Sequence, residues 1–278
     1  MHQVEAVVTN WKRPKNVIKI VDALRHQSQP CTITVCDCHP SDKFALSEMA
    51  LPSIDRMYRW SHNLGPYSRY VPIGAYDHEY TLFLDDDMLP GTKCVEHFLK
   101  SAKAITHFGV LGQLGRIVDA DGSYFPRDIQ RMKMFVEVDV LVRGYFIRTS
   151  NLFYLLRLRE IMGSFDAMTD DDLVLCISIR LFGNLPSYLT PSSNDRETLM
   201  NKEDLDDEFA LSRRPDHLRR RNEFLRRAMT AGWVPKLARG LEKERELENS
   251  YAPRLTRSIP FGSHIRRLLL SKRSDDTS

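Results

Sequence analysis

A run of three aspartates follows directly after an apolar segment of the chain. Residues 80–84 read Tyr-Thr-Leu-Phe-Leu, and Asp85, Asp86 and Asp87 come next. Three adjacent carboxylates in a partly desolvated crevice repel one another and take up protons unless a cation lies nearby. Mg²⁺ and Mn²⁺ prefer oxygen ligands and commonly bridge one or two carboxylates to substrate phosphates. The run therefore indicates a divalent-metal site, with an exposed acidic turn or a helix N-cap as the alternative.

A second acidic cluster lies further along the chain. Asp170, Asp171 and Asp172 open a segment of helical character. The predicted helix runs to Phe182 and ends at Gly183. A carboxylate at a helix N-terminus is stabilised in its ionised form by the helix dipole, which is the ordinary reason for finding one there. Within hydrogen-bond reach of a substrate hydroxyl, such a carboxylate can also act as a general base.

The elements that must position these residues alternate between strands and helices. Apolar runs and helical spacing predict them at residues 4–9, 15–26, 32–36, 80–84 and about 92–104, with a further strand at 138–142. This alternation is typical of an α/β fold with a mainly parallel sheet flanked by helices. Ligands of such sheets bind beyond the carboxyl ends of the strands. Thr9, Asp37 and the three aspartates all fall at those ends.

Three pieces of the chain resemble the nucleotide-binding elements of GT-A glycosyltransferases, in particular family-2-like members. Residues 83–90 resemble the DxD signature, Asn63-Leu64-Gly65 with Arg69 resembles the N-x-G…R element, and residues 7–14 resemble the first strand and its loop. The resemblance implies a nucleotide-sugar donor, with UDP favoured by its frequency in the family. The implied donor contacts are Thr9, Asn10, Arg13, Asp37, Asn63, Arg69, Asp85 and Asp86. It also implies Mn²⁺ or Mg²⁺ on Asp85 and Asp87.

Two later pieces resemble the acceptor side of the same family. Residues 142–148 resemble the glycine-containing strand beside the acceptor, and residues 163–183 resemble the block that carries the base of inverting members. Aligning on the glycine implies that Asp172 deprotonates the acceptor hydroxyl. Asp171 and Asp170 stay alternatives, because the usual Glu-Asp pair is Asp-Asp here and Asp170 precedes it. The implied enzyme is an inverting hexosyl- or pentosyltransferase that acts on a glycan acceptor, similar to soluble bacterial and large algal virus members. His217 is a further candidate metal ligand, because some GT-A enzymes use a C-terminal histidine; a surface role is the alternative.

Composition bounds the class of protein. The chain has 278 residues, of which 42% are hydrophobic and 28% are charged, which suffices for a large domain with a substantial core. No segment approaches the roughly 18 consecutive apolar residues of a membrane span. No secretory signal is evident, which predicts a cytoplasmic protein. Five cysteines without a CxxC pair predict reduced thiols.

We expect a GT-A domain over residues 1–190 and a basic helical extension over 191–278 that packs on it, flexible after about residue 271. Two other functions are less well supported. A nucleotidyltransferase would need a glycine-rich phosphate loop near the first strand, and residues 9–14 contain no glycine. Arginines crowded between 213 and 227 could bind nucleic acid, but a solvated helix face is favoured. A nucleic-acid-binding protein would also leave the acidic clusters without a role, so no nucleic-acid partner is expected. The oligomeric state stays open.

Overall fold

The strands within the described residues form one large sheet and two small ones. The computed structural model describes residues 2–38, 46, 52–124, 129–163, 170–192, 195–202 and 211–241. The strands within these ranges are β1 (Val4–Asn10), β2 (Thr32–Asp37), β3 (Arg56–Arg59), β4 (Tyr80–Leu84), β5 (Met88–Pro90), β6 (Val110–Gly112), β7 (Leu114–Arg116), β8 (Ile129–Gln130), β9 (Val136–Val138), β10 (Val140–Leu141), β11 (Gly144–Arg148), β12 (Ser187–Leu189) and β13 (Met200–Lys202). The α-helices are α1 (Pro14–Arg25), α2 (Cys94–Ala104), α3 (Tyr154–Met162), α4 (Asp171–Gly183) and α5 (His217–Thr230).

In the part of the chain that the structure describes, the large sheet has eight strands in the order β3-β2-β1-β4-β11-β6-β12-β9. β1 lies parallel to β2 and to β4, and β3 lies parallel to β2. β11 runs antiparallel between β4 and β6, while β12 is again parallel to β6. The predicted α/β fold with a mainly parallel sheet is confirmed. Because β1, β2 and β4 are parallel neighbours, Asn10, Asp37 and Asp85 lie at one edge of the sheet.

Apolar side chains fill both faces of the sheet. Ala6 and Val8 of β1 face a core formed with α1 and α2, whereas Val7 faces a second core that includes residues of α3, α4 and α5. Leu82 and Phe83 of β4 divide between the same two cores. Central parallel strands that are buried on both faces read as continuous apolar runs, as the sequences of β1 and β4 do.

The single strand predicted at 138–142 is divided in two. β9 and β10 belong to different sheets, and Asp139 lies between them. The Asp139 side chain accepts hydrogen bonds from the backbone N–H groups of Val118, at 2.9 Å, and Lys236, at 2.8 Å. These two long-range hydrogen bonds hold the chain at the point where it passes from one sheet to the other. They cannot be predicted from the apolar pattern of residues 138–142.

The chain forms a compact unit from Met1 to Ala238 and a second unit from Arg239 to Ser278, of which only residues 239–241 are described. Within the first unit, β13 pairs antiparallel with β5, and Phe224 and Leu225 of α5 join the core that contains α4. The division at residue 190 stays a prediction. The predicted tail after residue 271, and residues 164–169 of the predicted acceptor block, lie outside the described residues. No helix in the described part of the chain combines the length and the apolar character that crossing a membrane requires.

Candidate active site

A pocket of about 360 Å³ lies at the carboxyl ends of β1 and β4. Loops after both strands, the start of α4 and the start of α5 form its walls. The residues of the sequence-predicted site that line it are Thr9, Arg13, Arg69, Asp85, Asp86, Asp87, Asp171, Asp172 and His217. The two acidic clusters, far apart in the sequence, therefore meet in one pocket.

Asp86 joins the aspartate run to the loop after β1. Its Oδ1 accepts a 2.5 Å hydrogen bond from Nη1 of Arg13, and its Oδ2 accepts one of 3.3 Å from the backbone N–H of Trp11. Burial raises the pKa of Asp86, and the adjacent Arg13 counteracts part of that effect. Both carboxylate oxygens of Asp86 are thus committed to the protein, which fixes the position of its neighbours Asp85 and Asp87.

Arg69 lies between the two acidic clusters. Its Nη2 donates to Oδ1 of Asp85 at 2.6 Å and is 3.6 Å from Oδ2 of Asp171, while its Nε donates to the Pro66 carbonyl at 2.9 Å. Burial lowers the pKa of Arg69, but the two carboxylates more than compensate and raise it well above its ordinary value. Arg69 is therefore a buried cation held between one carboxylate of each cluster. Burial in turn raises the pKa of Asp85, which Arg69 counteracts in part.

Asp172 is held by Arg221 of α5. Nη1 and Nη2 of Arg221 donate to the two carboxylate oxygens of Asp172 at 2.8 and 2.7 Å, and Nη2 also donates to the Tyr124 hydroxyl at 2.9 Å. The sequence reasoning missed Arg221. Arg221 lies on the same buried face of α5 as Phe224 and Leu225. A charged residue at helical spacing among apolar residues indicates a buried charge with a partner, and this pattern could have identified it.

Asp171 has different surroundings from its neighbour. It is buried, and its Oδ2 makes no hydrogen bond within the described residues. The same oxygen forms an ion pair with Nη2 of Arg69 at 3.6 Å. Burial raises the pKa of Asp171 to about 7, and the nearby Asp172 and Asp85 add to the effect that Arg69 opposes. A carboxyl that titrates near neutral pH is suited to receive a proton.

Asp85, Asp87 and His217 line one pocket and carry carboxylate and imidazole ligands of the kinds that a divalent cation accepts, but their ligand atoms do not all lie within 4.8 Å of one another. Both carboxylates line the pocket, and Nδ1 of His217 has no hydrogen-bond partner within the described residues. Burial lowers the pKa of His217, and Arg221 lowers it further, so the neutral imidazole that can bind a metal is favoured. Manganese accepts oxygen and imidazole ligands, and further oxygens from a bound diphosphate would complete the shell.

A compact trio of potential metal ligands occurs elsewhere in the described residues. Ligand atoms of Glu5, Asp77 and His78 lie within 4.8 Å of one another near the opposite end of the sheet from the pocket. They form an internal network, in which Nδ1 of His78 lies 3.2 Å from Oε2 of Glu5 and 3.0 Å from Oδ1 of Asp77. This network is separate from the predicted metal site at Asp85 and Asp87.

Three predicted donor contacts lie outside the pocket. Asn10 donates to Oδ1 of Asp37 at 2.9 Å, and Nε of Arg59 donates to Oδ2 of the same carboxylate at 3.1 Å. Asn63 is exposed, and its side-chain oxygen accepts the backbone N–H of Gly65 at 2.9 Å. Asn10 and Asp37 share the sheet edge with the pocket because β1 and β2 are neighbours. Their contact with a nucleotide, and that of Asn63, stay predictions.

Comparison with solved structures finds glycosyltransferases among the proteins of similar fold. The mannosyltransferase PcManGT from Pyrobaculum calidifontis, solved with GDP-Man and Mn²⁺, matches with a TM-score of 0.50 and 13% identity over 90% of this chain and 81% of that chain. S. aureus TarS 1–349 matches with a TM-score of 0.48 and 17% identity over 69% of this chain, which spans 59% of the TarS fragment. No protein-family model and no curated protein sequence matches the chain. The GT-A-like fold expected from the sequence is thus confirmed.

Proposed function

We propose that the chain is a metal-dependent glycosyltransferase that moves a sugar from a nucleoside diphosphate donor to a hydroxyl group of a glycan acceptor. The observation that carries the proposal is the meeting of two acidic clusters in one pocket at the strand ends, with arginines between and beside them. Mn²⁺ and GDP-Man in the complex of PcManGT, which shares this fold, support a nucleotide-sugar and a divalent cation.

The donor diphosphate is proposed to bind between the β1 loop and the aspartate run. Thr9 and Arg13 line that side of the pocket, and Oγ1 of Thr9 is buried without a hydrogen-bond partner in the described residues. Asp87, with Asp85 and His217, would hold the cation. When bound, the cation neutralises the negative charge that develops on the departing diphosphate. UDP remains the proposed nucleotide, with its base at the β2 end of the same edge.

Asp171 is proposed as the general base. As the acceptor oxygen forms its bond to C1, its proton passes to a carboxylate oxygen of Asp171. The bond from C1 to the phosphate oxygen breaks, and its electron pair leaves with the diphosphate. Attack from the face opposite to the leaving group inverts the anomeric configuration.

The alternative base is Asp172, the residue implied by the family resemblance. Both of its oxygens accept hydrogen bonds from Arg221, so taking up a proton would disrupt a buried ion pair. Asp171 has no such bidentate partner, and its Oδ2 makes no hydrogen bond within the described residues. We therefore propose that Asp172 positions Arg221 and that Asp171 accepts the proton.

The test is donor turnover with defined metals. Release of nucleoside diphosphate from UDP- and GDP-sugars is measured with Mn²⁺, after EDTA treatment, and after Mn²⁺ is restored. We expect activity to disappear with EDTA and to return with Mn²⁺. Asp87→Asn should lower it by about 10²-fold or more, because removing one charge-stabilising contact commonly has that effect. Asp22→Asn, on the exposed surface of α1, is the matched control.

Thermal unfolding in the presence of UDP or GDP, with and without Mn²⁺, identifies the nucleotide. A rise in the unfolding temperature with UDP that requires Mn²⁺ supports UDP as the nucleotide of the donor. If GDP raises the unfolding temperature and UDP does not, the proposed nucleotide becomes GDP. Full activity in EDTA, or in Asp87→Asn, contradicts the metal-dependent function itself.

A further inference from the structure

A second cavity, of about 160 Å³, adjoins the candidate active site. Val142 and Arg143 line both cavities and so form the wall between them. Further lining comes from Met88 of β5, Leu114 of β7 and Met200 of β13. None of its lining residues belongs to β1 or β2, where the donor nucleotide is proposed to bind. In the sheet, β4 separates β1 from β11, the strand that follows Arg143. The second cavity therefore lies on the side of the pocket away from the proposed donor.

The charge of this second cavity has one sign. Arg131 and Arg143 are the charged residues that line it, and no carboxylate is among its described lining residues. Neither guanidinium makes a hydrogen bond or an ion pair within the part of the chain that the structure describes. Three arginines of the main pocket differ, because Arg13 pairs with Asp86, Arg69 with Asp85 and Arg221 with Asp172. Within the described residues, an anion that enters the second cavity meets two guanidinium groups without having to displace a carboxylate.

Both arginines also hold an unusual backbone conformation. Arg131 has φ of 58° and Arg143 has φ of 72°, values that are unfavourable for residues other than glycine. The carbonyl of Arg143 accepts the backbone N–H of Asp85 at 3.2 Å, which links this residue directly to the aspartate run. The segment after Arg131 is held by a 2.8 Å hydrogen bond from the Ser192 N–H to the Met132 carbonyl. Strained backbone that surrounding contacts maintain at a cavity wall is commonly associated with ligand binding.

We propose that the second cavity binds an oxyanion of the acceptor, a carboxylate or a phosphate, so that the acceptor is an acidic glycan. The inference rests on the proposed glycosyl transfer and adds the chemical class of the acceptor to it. A guanidinium presents planar N–H donors that match the oxygens of both anions. Because Arg143 lies between the two cavities, an anion held there would keep the rest of the acceptor within reach of the main pocket.

The experiment compares matched acceptors with the 278-residue chain, Mn²⁺ and the donor that it turns over. The probes are methyl glucoside, methyl glucuronide and glucose 6-phosphate, which present a neutral, a carboxylated and a phosphorylated sugar. For each variant the measured quantity is the ratio of kcat/KM for the acidic probe to kcat/KM for the neutral probe. This ratio does not depend on the fraction of folded enzyme, so a poorly folded variant still gives an answer. Arg131→Gln and Arg143→Gln are the test variants, and Arg226→Gln, exposed on α5, is the charge-matched control.

We expect the wild-type protein to prefer at least one acidic probe, and each test variant to lower that preference by about 10- to 100-fold, as loss of a hydrogen bond to a charged group commonly does. The control should retain the wild-type ratio. The acidic probe that is preferred identifies the anion as carboxylate or phosphate. Equal use of neutral and acidic probes by the wild type, or ratios unchanged in both test variants, overturns the inference while leaving glycosyl transfer intact. Absence of metal-dependent donor turnover in the wild type instead overturns the proposed function.

Discussion

Asp171 and Asp172 are adjacent in sequence but have different electrostatic surroundings. Asp172 is neutralised by two hydrogen bonds from Arg221, whereas Oδ2 of Asp171 has the 3.6 Å approach of Arg69 as its ion pair. Burial raises the pKa of Asp171 to about 7. Two neighbouring carboxyls whose environments differ in this way commonly have different roles in a reaction. The roles therefore depend on which partner each side chain meets, and the sequence alone left them open.

The first prediction concerns the pH dependence of Asp171. A general base acts when it is ionised, so kcat should fall as pH decreases through about 7 and reach a plateau above it. Asp171→Asn should lower kcat by about 10²–10⁴-fold at pH 8, because that is the usual contribution of a general base. Donor affinity should change far less, since the donor is proposed to bind at the other side of the pocket. Steady-state kinetics across pH, with donor binding measured separately, provides the check.

Asp172→Asn is the comparison for this experiment. A loss of kcat in Asp172→Asn together with near-normal kcat in Asp171→Asn would assign the base to Asp172, as the family resemblance implied. A product with retained anomeric configuration would exclude the inverting reaction for both residues. NMR of the product measures that configuration directly.

Site residues could be predicted from the sequence where a local pattern marks them, and not where their role depends on contacts with residues distant in sequence. Asp85, Asp86 and Asp87 follow an apolar strand directly, so the local pattern indicated their position. Arg221 was missed because its role requires α5 to pack against the start of α4. Asn63 lies outside the pocket, where its side-chain oxygen accepts the backbone N–H of Gly65, and its contact with the donor stays a prediction.

At the level of elements, the pair between Asp172 and Arg221 joins α4 to α5. Both side chains are buried, with relative exposures of 8% for Asp172 and 4% for Arg221. Arg221→Met would leave the carboxylate of Asp172 buried without its partner, which typically lowers the free energy of unfolding by about 3–5 kcal/mol. The double variant Asp172→Asn with Arg221→Met should recover most of that loss. Urea unfolding of the single and double variants measures both effects.

Arg226→Met, on the exposed side of the same helix, is the control for this prediction, and its free energy of unfolding should stay within about 0.5 kcal/mol of the wild type. A small effect of Arg221→Met, similar to that of the control, would mean that the ion pair does not hold the two helices together. A double variant as unstable as Arg221→Met would instead assign the loss to packing rather than to the unpaired charge.

The turn after β5 packs closely against the turn before β13. A Cβ atom on Gly91 would lie 2.1 Å from the carbonyl oxygen of Arg196 and 2.5 Å from that of Glu197. Both are backbone atoms, so Gly91→Ala forces the chain to move and should lower the free energy of unfolding by about 1–3 kcal/mol. Gly74→Ala is the control, because a Cβ atom on Gly74 would have no described atom within 4 Å outside its chain neighbours. Equal unfolding midpoints for the two variants would contradict this close approach.

At the scale of the whole molecule, the alternation of apolar strands and amphipathic helices predicted the α/β class because each element carries its own pattern. The strand order and the pairing of β13 with β5 come from contacts between residues distant in sequence. β13 is three residues long and lies in a polar stretch, so it has no periodicity to detect. Because the apolar pattern ends near residue 190, the sequence analysis predicted a domain boundary there.

The extent of the folded unit can be tested by truncation. The compact unit ends at Ala238, and residues 191–238 contribute β13, Arg221 and the buried core residues Phe224 and Leu225. We therefore expect a fragment of residues 1–238 to unfold cooperatively, and to show the Mn²⁺-dependent thermal shift with nucleotide that the full chain shows.

A fragment of residues 1–190 should behave differently. It would expose the core surface that Phe224 and Leu225 cover, at a loss of about 1.5–3 kcal/mol for each buried side chain, and it would leave Asp172 without Arg221. Losses of this size are comparable with the total stability of a typical domain, about 5–15 kcal/mol. We expect this fragment to unfold at a much lower urea concentration, or without a cooperative transition. If it instead unfolds cooperatively at the midpoint of the full chain, the boundary at residue 190 is correct, and α5 belongs to an extension that the sheet domain does not need.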